Sequence, residues 1–426
     1  MNDDGLIKRL LTSILRGYNS VGMVPKILCG VILGVLIALL NLNFTALSLL
    51  GTLFVSALKS IAPLLVFVII LASISLNKGG LGSRFRLVIF YYLLSTLLAA
   101  VVASLACDRF PIMLTLDWNS SGASGTVQSV STVVSNILQS VTTNPVSALT
   151  DAQYLPILFW AIVLGIAVKK VGSSETKSFL LDCSNALSHV TRWIIALAPF
   201  GIMGLVYSAV ASEGVSIFKE YGKLALLIVA CVLVVALIVN PIIVAISLRR
   251  NPYPLVWKCL RMSGVTAFFT RSSAANIPVN MAVCEKLGVD RDFYSVAIPL
   301  GAVINMNGAA ITISVMTLTA AHSLGLDVSF TTSVWLCVIS ALAACGASGI
   351  AGGSLLLIPM ACSLFNIPND VSMQVVGVGF VIGVVQDSFE TALNSSGDVL
   401  FVTTAEYRRI MKEVKEDAER GGNIGM

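Results

Sequence analysis

The sequence predicts an all-α polytopic membrane protein: eight transmembrane helices plus two helical hairpins that dip into the bilayer from opposite sides. Three observations lead there. Of 426 residues, 56% are hydrophobic and only 12% charged, about half the charged share of an ordinary soluble domain. Apolar runs of spanning length recur along the chain, and basic residues sort to one side of them. Two further apolar stretches, 255–290 and 331–366, are too interrupted for a clean span and too long for a loop.

The runs fall at about 24–44, 51–76, 87–107, 153–170, 193–211, 224–248, 295–320 and 371–402. Each approaches the ~20 residues that carry a helix across the hydrocarbon core. Basic residues then collect on one side: Lys8, Arg9 and Arg16; Lys78, Arg84 and Arg86; Lys169, Lys170, Lys177 and Arg192. Arg249, Arg250, Lys258 and Arg261 follow, and then Arg408, Arg409, Lys412 and Lys415. The opposite loops are poorer. Residues 45–50 carry no basic charge, and in 108–152 Arg109 stands against Asp108, Asp117 and Asp151. The positive-inside rule places both termini in the cytoplasm.

The N-terminus, with Asp3 and Asp4 ahead of a pattern of Leu6, Ile7, Leu10, Leu11 and Ile14, does not read as a cleaved signal. It reads either as a short amphipathic helix on the cytoplasmic surface or as a solvated tail. The net charge of +5 is modest and no domain is strongly basic, so nucleic acid is not an expected partner. Nine cysteines are scattered singly with no CxxC spacing, which suits reduced packing residues. With two histidines, His189 and His322, the inventory does not suit a transition-metal centre. No phosphate-binding GxxxxGK[ST] occurs, and neither HExxH nor GxSxG, so ATP-driven pumping and hydrolysis lack their usual machinery. The Ser/Thr/Asn-rich segment 119–150 reads as an exposed external loop, and 405–420 as a solvated cytoplasmic helix.

In the first interrupted stretch, Thr270-Arg271-Ser272-Ser273-Ala274-Ala275-Asn276-Ile277-Pro278 separates two apolar arms. Arg261 on one flank and Glu285, Lys286 and Arg291 on the other require both ends on the cytoplasmic side. A hairpin satisfies that count, whereas a ninth full span would invert everything downstream. In the second, arms Val334–Leu342 and Leu355–Leu364 flank the glycine-rich run from Gly346 to Ser354, and the same count has it enter from outside. Irregular backbone at membrane depth is tolerated only inside protein or around a cavity. Hairpin, span, hairpin, span, with one hairpin from each side, is the pattern of an inverted repeat around a transport site. Four ordinary spans with glycine at helix contacts would spoil the charge asymmetry.

The chemistry concentrates near the C-terminus. Between Val371 and Val402 an apolar run carries Asp387, Glu390, Thr391, Asn394 and Asp398. On a helix these five side chains share an arc of about 100°. A carboxylate at mid-bilayer costs at least ~2.5–3.5 kcal/mol, so three on one stripe should face a cation, an ammonium group or water. Asn305 and Asn307, beside Gly301 and Gly308, suggest a local break in the seventh span whose carbonyls coordinate a hard monovalent cation; alternatively they hydrogen-bond across helices. With Asn394 and Asp398, the donors are all oxygen and carry a single charge, which fits sodium better than calcium or a transition metal. Asp387 can pair with a substrate ammonium. Helix-end amides at Ser272 and Ser273 can receive a substrate carboxylate, and the two together make a clamp for a zwitterion.

These four ordered motifs (Thr270-Arg271-Ser272-Ser273, Asn305-Met306-Asn307-Gly308, the glycine-rich second tip, and the Asp387/Thr391/Asn394/Asp398 stripe) resemble the dicarboxylate/amino acid:cation symporter family. The likeness runs over about 20–405. It implies the glutamate-transporter fold with inverted repeats, a homotrimer in the bacterial inner membrane, and elevator-type alternating access. It implies a cytoplasmic N-terminus at 1–23, a scaffold at 24–252 (its third and sixth spans partly in the transport domain), a transport core at 253–404 and a tail at 405–426. Position by position, it implies that Asp387 holds the substrate amine and that Asn394 and Ser273 hold its carboxylate, with Ile350 and Gly352 closing over it. Asn305, Asn394, Asp398 and the Gly301 carbonyl match one sodium site. Carbonyls of Val303, Ala344, Cys345 and Ala347 match a second. No cofactor is implied beyond sodium as coupling ion.

Three departures from the family pattern bear on cargo. Members that carry acidic substrates have arginine where this chain has Glu390, and an anion there repels a side-chain carboxylate. Asn307 stands where members with a third sodium site have aspartate. Ala309 replaces a hydroxyl residue that helps hold acidic side chains. All three point to a small neutral amino acid, serine or threonine, imported by sodium symport. Glu390 either accepts a hydrogen bond from the cargo's hydroxyl or pairs with Arg271. Rival readings are proton coupling, a symporter of acidic amino acids or dicarboxylates with the same fold, and an uncoupled channel.

Overall fold

The computed structural model describes residues 22–40, 44–76, 83–116, 143–151, 154–215, 217–347 and 352–421. The expected N-terminal amphipathic helix and most of the external segment 119–150 lie outside them. Every regular element described is helical. Among the described residues five helices are long and apolar enough to cross a membrane, or six if one bent pair counts as a single span. The expected eight are not reached by length alone. The first and fourth expected spans are helices α1 (Met23–Leu39) and α5 (Tyr154–Val171), of 17 and 18 residues.

Helices α1, α2 (Thr45–Leu76) and α7 (Ala198–Glu213) meet backbone to backbone, because glycine lines both seams. A Cβ on Gly30 would lie 2.3 Å from the Pro199 carbonyl oxygen, and one on Gly34 2.6 Å from that of Met203. Across the second seam, a Cβ on Gly204 would lie 2.3 Å from the Leu47 oxygen, and one on Gly51 2.8 Å from the Leu205 nitrogen. Carbon so placed clashes, so these four positions admit only hydrogen. One expected boundary moves. The fifth span was expected from 193, but α6 (Ser174–Ala196) runs on to 196, and the chain turns by 52° before α7. Pro199 explains the break, since its ring suits the first turn of a helix and not an interior.

Two π turns interrupt other helices. The first, Val235–Val239, joins α8 (Ile217–Val234) to α9 (Asn240–Leu248). Pro241 has no N–H to give the Leu237 carbonyl, and the Tyr253 hydroxyl donates to it at 3.1 Å. The second, Leu260–Gly264, joins α10 (Tyr253–Cys259) to α11 (Val265–Thr270). Each π turn rotates the residues that follow it, and each sits beside a buried polar side chain, Asn240 and Ser263.

After α11 the chain reverses at Arg271, whose φ of 51° ends the helix in the left-handed region, and returns as α12 (Ile277–Lys286). Ser263 on the outgoing arm bonds Asn280 on the returning one at 2.5 Å, so the two arms pack together. The expected break in the seventh span is present. Helix α13 (Arg291–Ile304) stops, Asn305 and Met306 take non-helical angles, and α14 (Asn307–Ser323) resumes. The second pair of arms is α15 (Phe330–Ala344) and a run of 3-10 turn Ser354–Leu357, α16 (Ile358–Cys362) and 3-10 turn Ser363–Phe365. The last helix, α17 (Asn369–Gly421), is continuous for 53 residues. It therefore brings the polar stripe and the expected cytoplasmic tail onto one rod.

Candidate functional site

All five residues of the stripe, Asp387, Glu390, Thr391, Asn394 and Asp398, are buried on α17. The first reversal and the start of the second returning arm meet at Asp387. The Arg271 Nε donates to its Oδ2 at 2.8 Å, and the Gly352 N–H to its Oδ1 at 3.3 Å. Gly352 has φ +72°, the left-handed backbone that glycine adopts without strain. Arg271 also donates to the Gly383 carbonyl at 3.3 Å. Its partner is thus Asp387, one turn earlier on α17, and the expected alternative pairing with Glu390 does not form. The guanidinium occupies the face of Asp387 where a substrate ammonium would be held.

Glu390 instead gathers three neutral donors on one oxygen, Oε2. Thr312 from α14 donates at 2.7 Å, Ser354 from the second pair of arms at 2.9 Å, and the Gln386 amide at short range. A buried carboxylate needs such donors because it has left water behind. Gly308 makes the approach possible, since a Cβ there would meet the Glu390 Cα at 2.7 Å.

Lower on the stripe, Asn305 spans the break in the seventh helix pair. Its amide donates to Asp398 Oδ1 at 2.9 Å and to the Asn394 carbonyl at 3.0 Å. Asn394 Oδ1 in turn accepts from the Gly308 N–H at 2.8 Å. The Asn305 Oδ1 is buried and has no hydrogen-bond partner. Two glycines let the chain close tightly around this corner: a Cβ on Gly301 would sit 2.6 Å from the Tyr92 hydroxyl and 2.7 Å from Asp398 Oδ1, and one on Gly397 2.8 Å from Asn305 Nδ2. A buried carboxylate beside an orphaned amide oxygen is an all-oxygen donor set with one charge, which fits a small hard cation such as sodium.

Other expected positions are placed as follows. Ser273 is buried in the first reversal, and the Ser272 hydroxyl accepts from the Ala275 N–H at 3.2 Å. The end of α15 approaches the break: the Cys345 thiol lies 3.7 Å from the Ile304 carbonyl. Val303, Ala344, Cys345 and Ala347 therefore share one neighbourhood, although the Ala344 carbonyl accepts from Ala347 N–H at 3.0 Å. Ile350 lies outside the described residues.

Sequence reasoning singled out Asn307 but missed its partners, along with other polar residues packed around the stripe. Asn307 donates to Ser95 at 2.6 Å and accepts from Thr96 at 2.9 Å, and Ser95 donates to Asn240 at 2.6 Å. Asn276 and Asn280, one turn apart on α12, bond Ser395 on α17 at 2.8 and 3.0 Å. The signal was present as asparagine at i and i+4 in a stretch otherwise apolar, a spacing that puts both on one helix face. Thr312, Ser354 and Gln386 gave no such signal, because single hydroxyls and amides are common in spanning helices.

A cavity of about 560 Å³ flanks Asp387, between the two reversals and the frame. Thr270, Arg271 and Gly352 line one side, and Pro25, Ile195 and Ala198 the other. A chamber of this size, mostly apolar with one carboxylate and one guanidinium at its wall, admits a small polar solute.

The spanning helices, buried oxygen cluster and adjoining chamber define a membrane transporter rather than an enzyme. The chain belongs to the sodium:dicarboxylate symporter family, whose family model matches residues 23–407. It is 51% identical over 412 residues to a protein of Bifidobacterium adolescentis named serine/threonine transporter SstT, covering 97% of this chain and 96% of that one. It is 50% identical over 392 residues to a protein of the same name from Streptococcus agalactiae serotype III, covering 92% and 97%.

Proposed function

We propose that this chain is a sodium-coupled symporter that imports serine and threonine across the bacterial inner membrane. The observation that carries the reading is the buried corner of Asp398 and Asn305, where the amide that bonds the carboxylate keeps its own oxygen without a hydrogen-bond partner. Sodium at that corner satisfies both groups at once. The cargo's ammonium takes the place of Arg271 on Asp387, and its carboxylate lies toward Asn394 and the amides at Ser272 and Ser273. Thr391 lines the same pocket, and Gly352, with Ile350, closes over it. Val303, Ala344, Cys345 and Ala347 supply carbonyls to a second sodium ion. Glu390 excludes acidic side chains and accepts a hydrogen bond from the cargo's hydroxyl, which an alanine analogue cannot give. The names and near full-length identity of the relatives support the cargo assignment.

In this reading the chain crosses the membrane eight times, the arm pairs 253–286 and 330–365 are re-entrant hairpins, and both termini are cytoplasmic. Three such chains assemble through the frame, and the unit 253–404 carries the site from one side to the other. Charge asymmetry puts the start of α1 at the cytoplasmic face. The 560 Å³ chamber, lined by Gly22 and Pro25, then opens inward, so the conformation is the cytoplasm-facing one.

The test is uptake of radiolabelled amino acids by purified protein in liposomes under imposed sodium or proton gradients. Serine and threonine should accumulate only when sodium is present outside. Accumulation that ignores sodium and follows a proton gradient would reject the coupling, and failure to accumulate against a gradient would leave a channel. Asp387→Asn should abolish serine binding in protein that still unfolds cooperatively. Undiminished binding would reject the ammonium assignment.

A further inference from the structure

The lattice around Ser395 lies behind the proposed sodium corner and, Asp398 apart, its residues have no role in the site proposed above. Ser263, Asn276, Asn280, Ser395 and Asp398 are all buried. The Ser263 hydroxyl donates to Asn280 Oδ1 at 2.5 Å. Asn276 Nδ2 donates to the same oxygen at 3.1 Å and to Ser395 Oγ at 2.8 Å. Asn280 Nδ2 donates to Ser395 Oγ at 3.0 Å and to the Ser395 carbonyl at 3.2 Å. It also reaches Asp398 Oδ2 at 3.5 Å, the long end of the hydrogen-bond range.

Two features give this lattice a direction. First, Asn280 has both ends engaged: its oxygen takes two donors, and its amide faces three acceptors on the Ser395–Asp398 turn of α17. A side chain held from both sides cannot rotate away, so it fixes whatever it touches. Second, Asp398 is approached on its two oxygens from different elements. Asn305 of the broken span holds Oδ1, and Asn280 of the first arm pair reaches Oδ2. Ser263 lies within the π turn at Leu260–Gly264, a kind of irregularity that often marks functional sites.

We infer that Asn280, backed by Ser263 and Asn276, is a positioning residue for the sodium corner. It fixes the rotamer of Asp398 and ties the first hairpin to the bound ion. The inference rests on the site proposed above and goes beyond it, since Asn280 touches neither sodium nor cargo. When the ion draws on Asp398, the pull is transmitted through Asn280 to α12, and the hairpin stiffens.

The experiment follows sodium binding to the full-length purified protein in detergent, with choline replacing sodium at constant ionic strength. Two readouts are used: the sodium concentration giving half-maximal thermal stabilisation, and amide exchange of α12 with and without sodium. In Asn280→Ala the sodium midpoint should rise by about tenfold, the size of effect that outer groups exert on ion affinity. Serine affinity at saturating sodium should change little. Sodium should slow exchange in α12 of the parent protein and leave it unchanged in the variant. A merely structural role would speed exchange equally with and without sodium. Ser263→Ala, a milder change, should raise the midpoint in the same direction if Asn280→Ala does not fold. A midpoint unmoved in either variant, together with a large shift in Asp398→Asn, overturns the inference and leaves the proposed site intact. A midpoint unmoved in Asp398→Asn and Asn305→Ala removes the sodium corner itself, and the inference with it.

Discussion

Glu390, proposed above to exclude acidic cargo, is also a structural knot. Thr312, Ser354 and Gln386 all donate to its Oε2. Replacing it by arginine reverses the charge proposed to face the cargo and takes the acceptor from the Thr312 and Ser354 hydroxyls, whereas Gln386 still donates to Thr312 at 2.8 Å. Leaving a buried donor unsatisfied costs about 1–3 kcal/mol, so Glu390→Arg should lower the unfolding temperature as well as alter preference. Serine binding should weaken by about tenfold or more, which corresponds to about 1.4 kcal/mol, and acidic amino acids should begin to compete. Unchanged serine binding with no acidic competition, measured by displacement of labelled serine, would refute the repulsion argument. The stripe itself was readable from the sequence because charged and amide residues are rare in apolar runs and fell on one helical arc. The donors around Glu390 were not, because a hydroxyl among apolar residues carries no periodicity. The pairing of Arg271 with Asp387 was equally hidden: it depends on a left-handed residue at a helix end, and any of several carboxylates was in reach.

Among the elements, α13 depends on what happens at its first turn. Asp290 caps it by accepting from the N–H groups of Asp292 and Phe293 at 2.8 and 3.3 Å. The same carboxylate meets Arg84 of α3 (Ser83–Arg109) at 3.3 Å, and Arg84 goes on to Glu406 of α17 at 3.0 Å. Hydrogen bonding to Arg84 first, and then to the two amides, holds the Asp290 carboxyl below its ordinary 3.8. A carboxyl depressed on folding stabilises the protein fully above its unfolded value. That contribution is lost as pH falls through the lower folded value, so the clasp should be insensitive to pH in the neutral range and fail only in strong acid. Asp290→Ala should lower the unfolding temperature through the lost cap. Arg84→Ala should cost about 1–2 kcal/mol, because Glu406 is buried and keeps only Arg409. Thermal unfolding at pH 7 checks both, and equal unfolding temperatures for parent and variants would dismiss the clasp. Element positions were mostly legible from hydropathy and charge. The late start of α7 was not, since the apolar run continues across the Leu197 bend and only Pro199 hints at it. The π turns were invisible for a related reason, as one extra residue per turn leaves composition untouched.

The whole molecule holds a seam of α1, α2 and α7 closed backbone to backbone, and a looser face where α17 meets α2 and α7. Substituting alanine at Gly30 or Gly204 forces a carbon to 2.3 Å from a carbonyl oxygen of the neighbouring helix. Overpacking of that kind costs about 1–3 kcal/mol, and each variant should unfold several degrees earlier. Gly377 of α17 faces the frame quite differently: a Cβ there would lie 3.6 Å from Leu205 and 3.8 Å from Val55, ordinary contact distances. Gly377→Ala should therefore fold with undiminished stability. If the seam variants prove as stable as the parent, or Gly377→Ala much less so, this contrast is mistaken. Gly377 is also far along α17 from Asp387 and Asp398, so enlarging it leaves the cargo's contacts alone. On the elevator motion proposed above this face slides, so a methyl there acts as a brake pad, and larger residues as stronger ones. Throughput per second can then be dialled down at one position while the grip on serine stays as it was, which gives evolution, or an engineer, separate controls for speed and for taste.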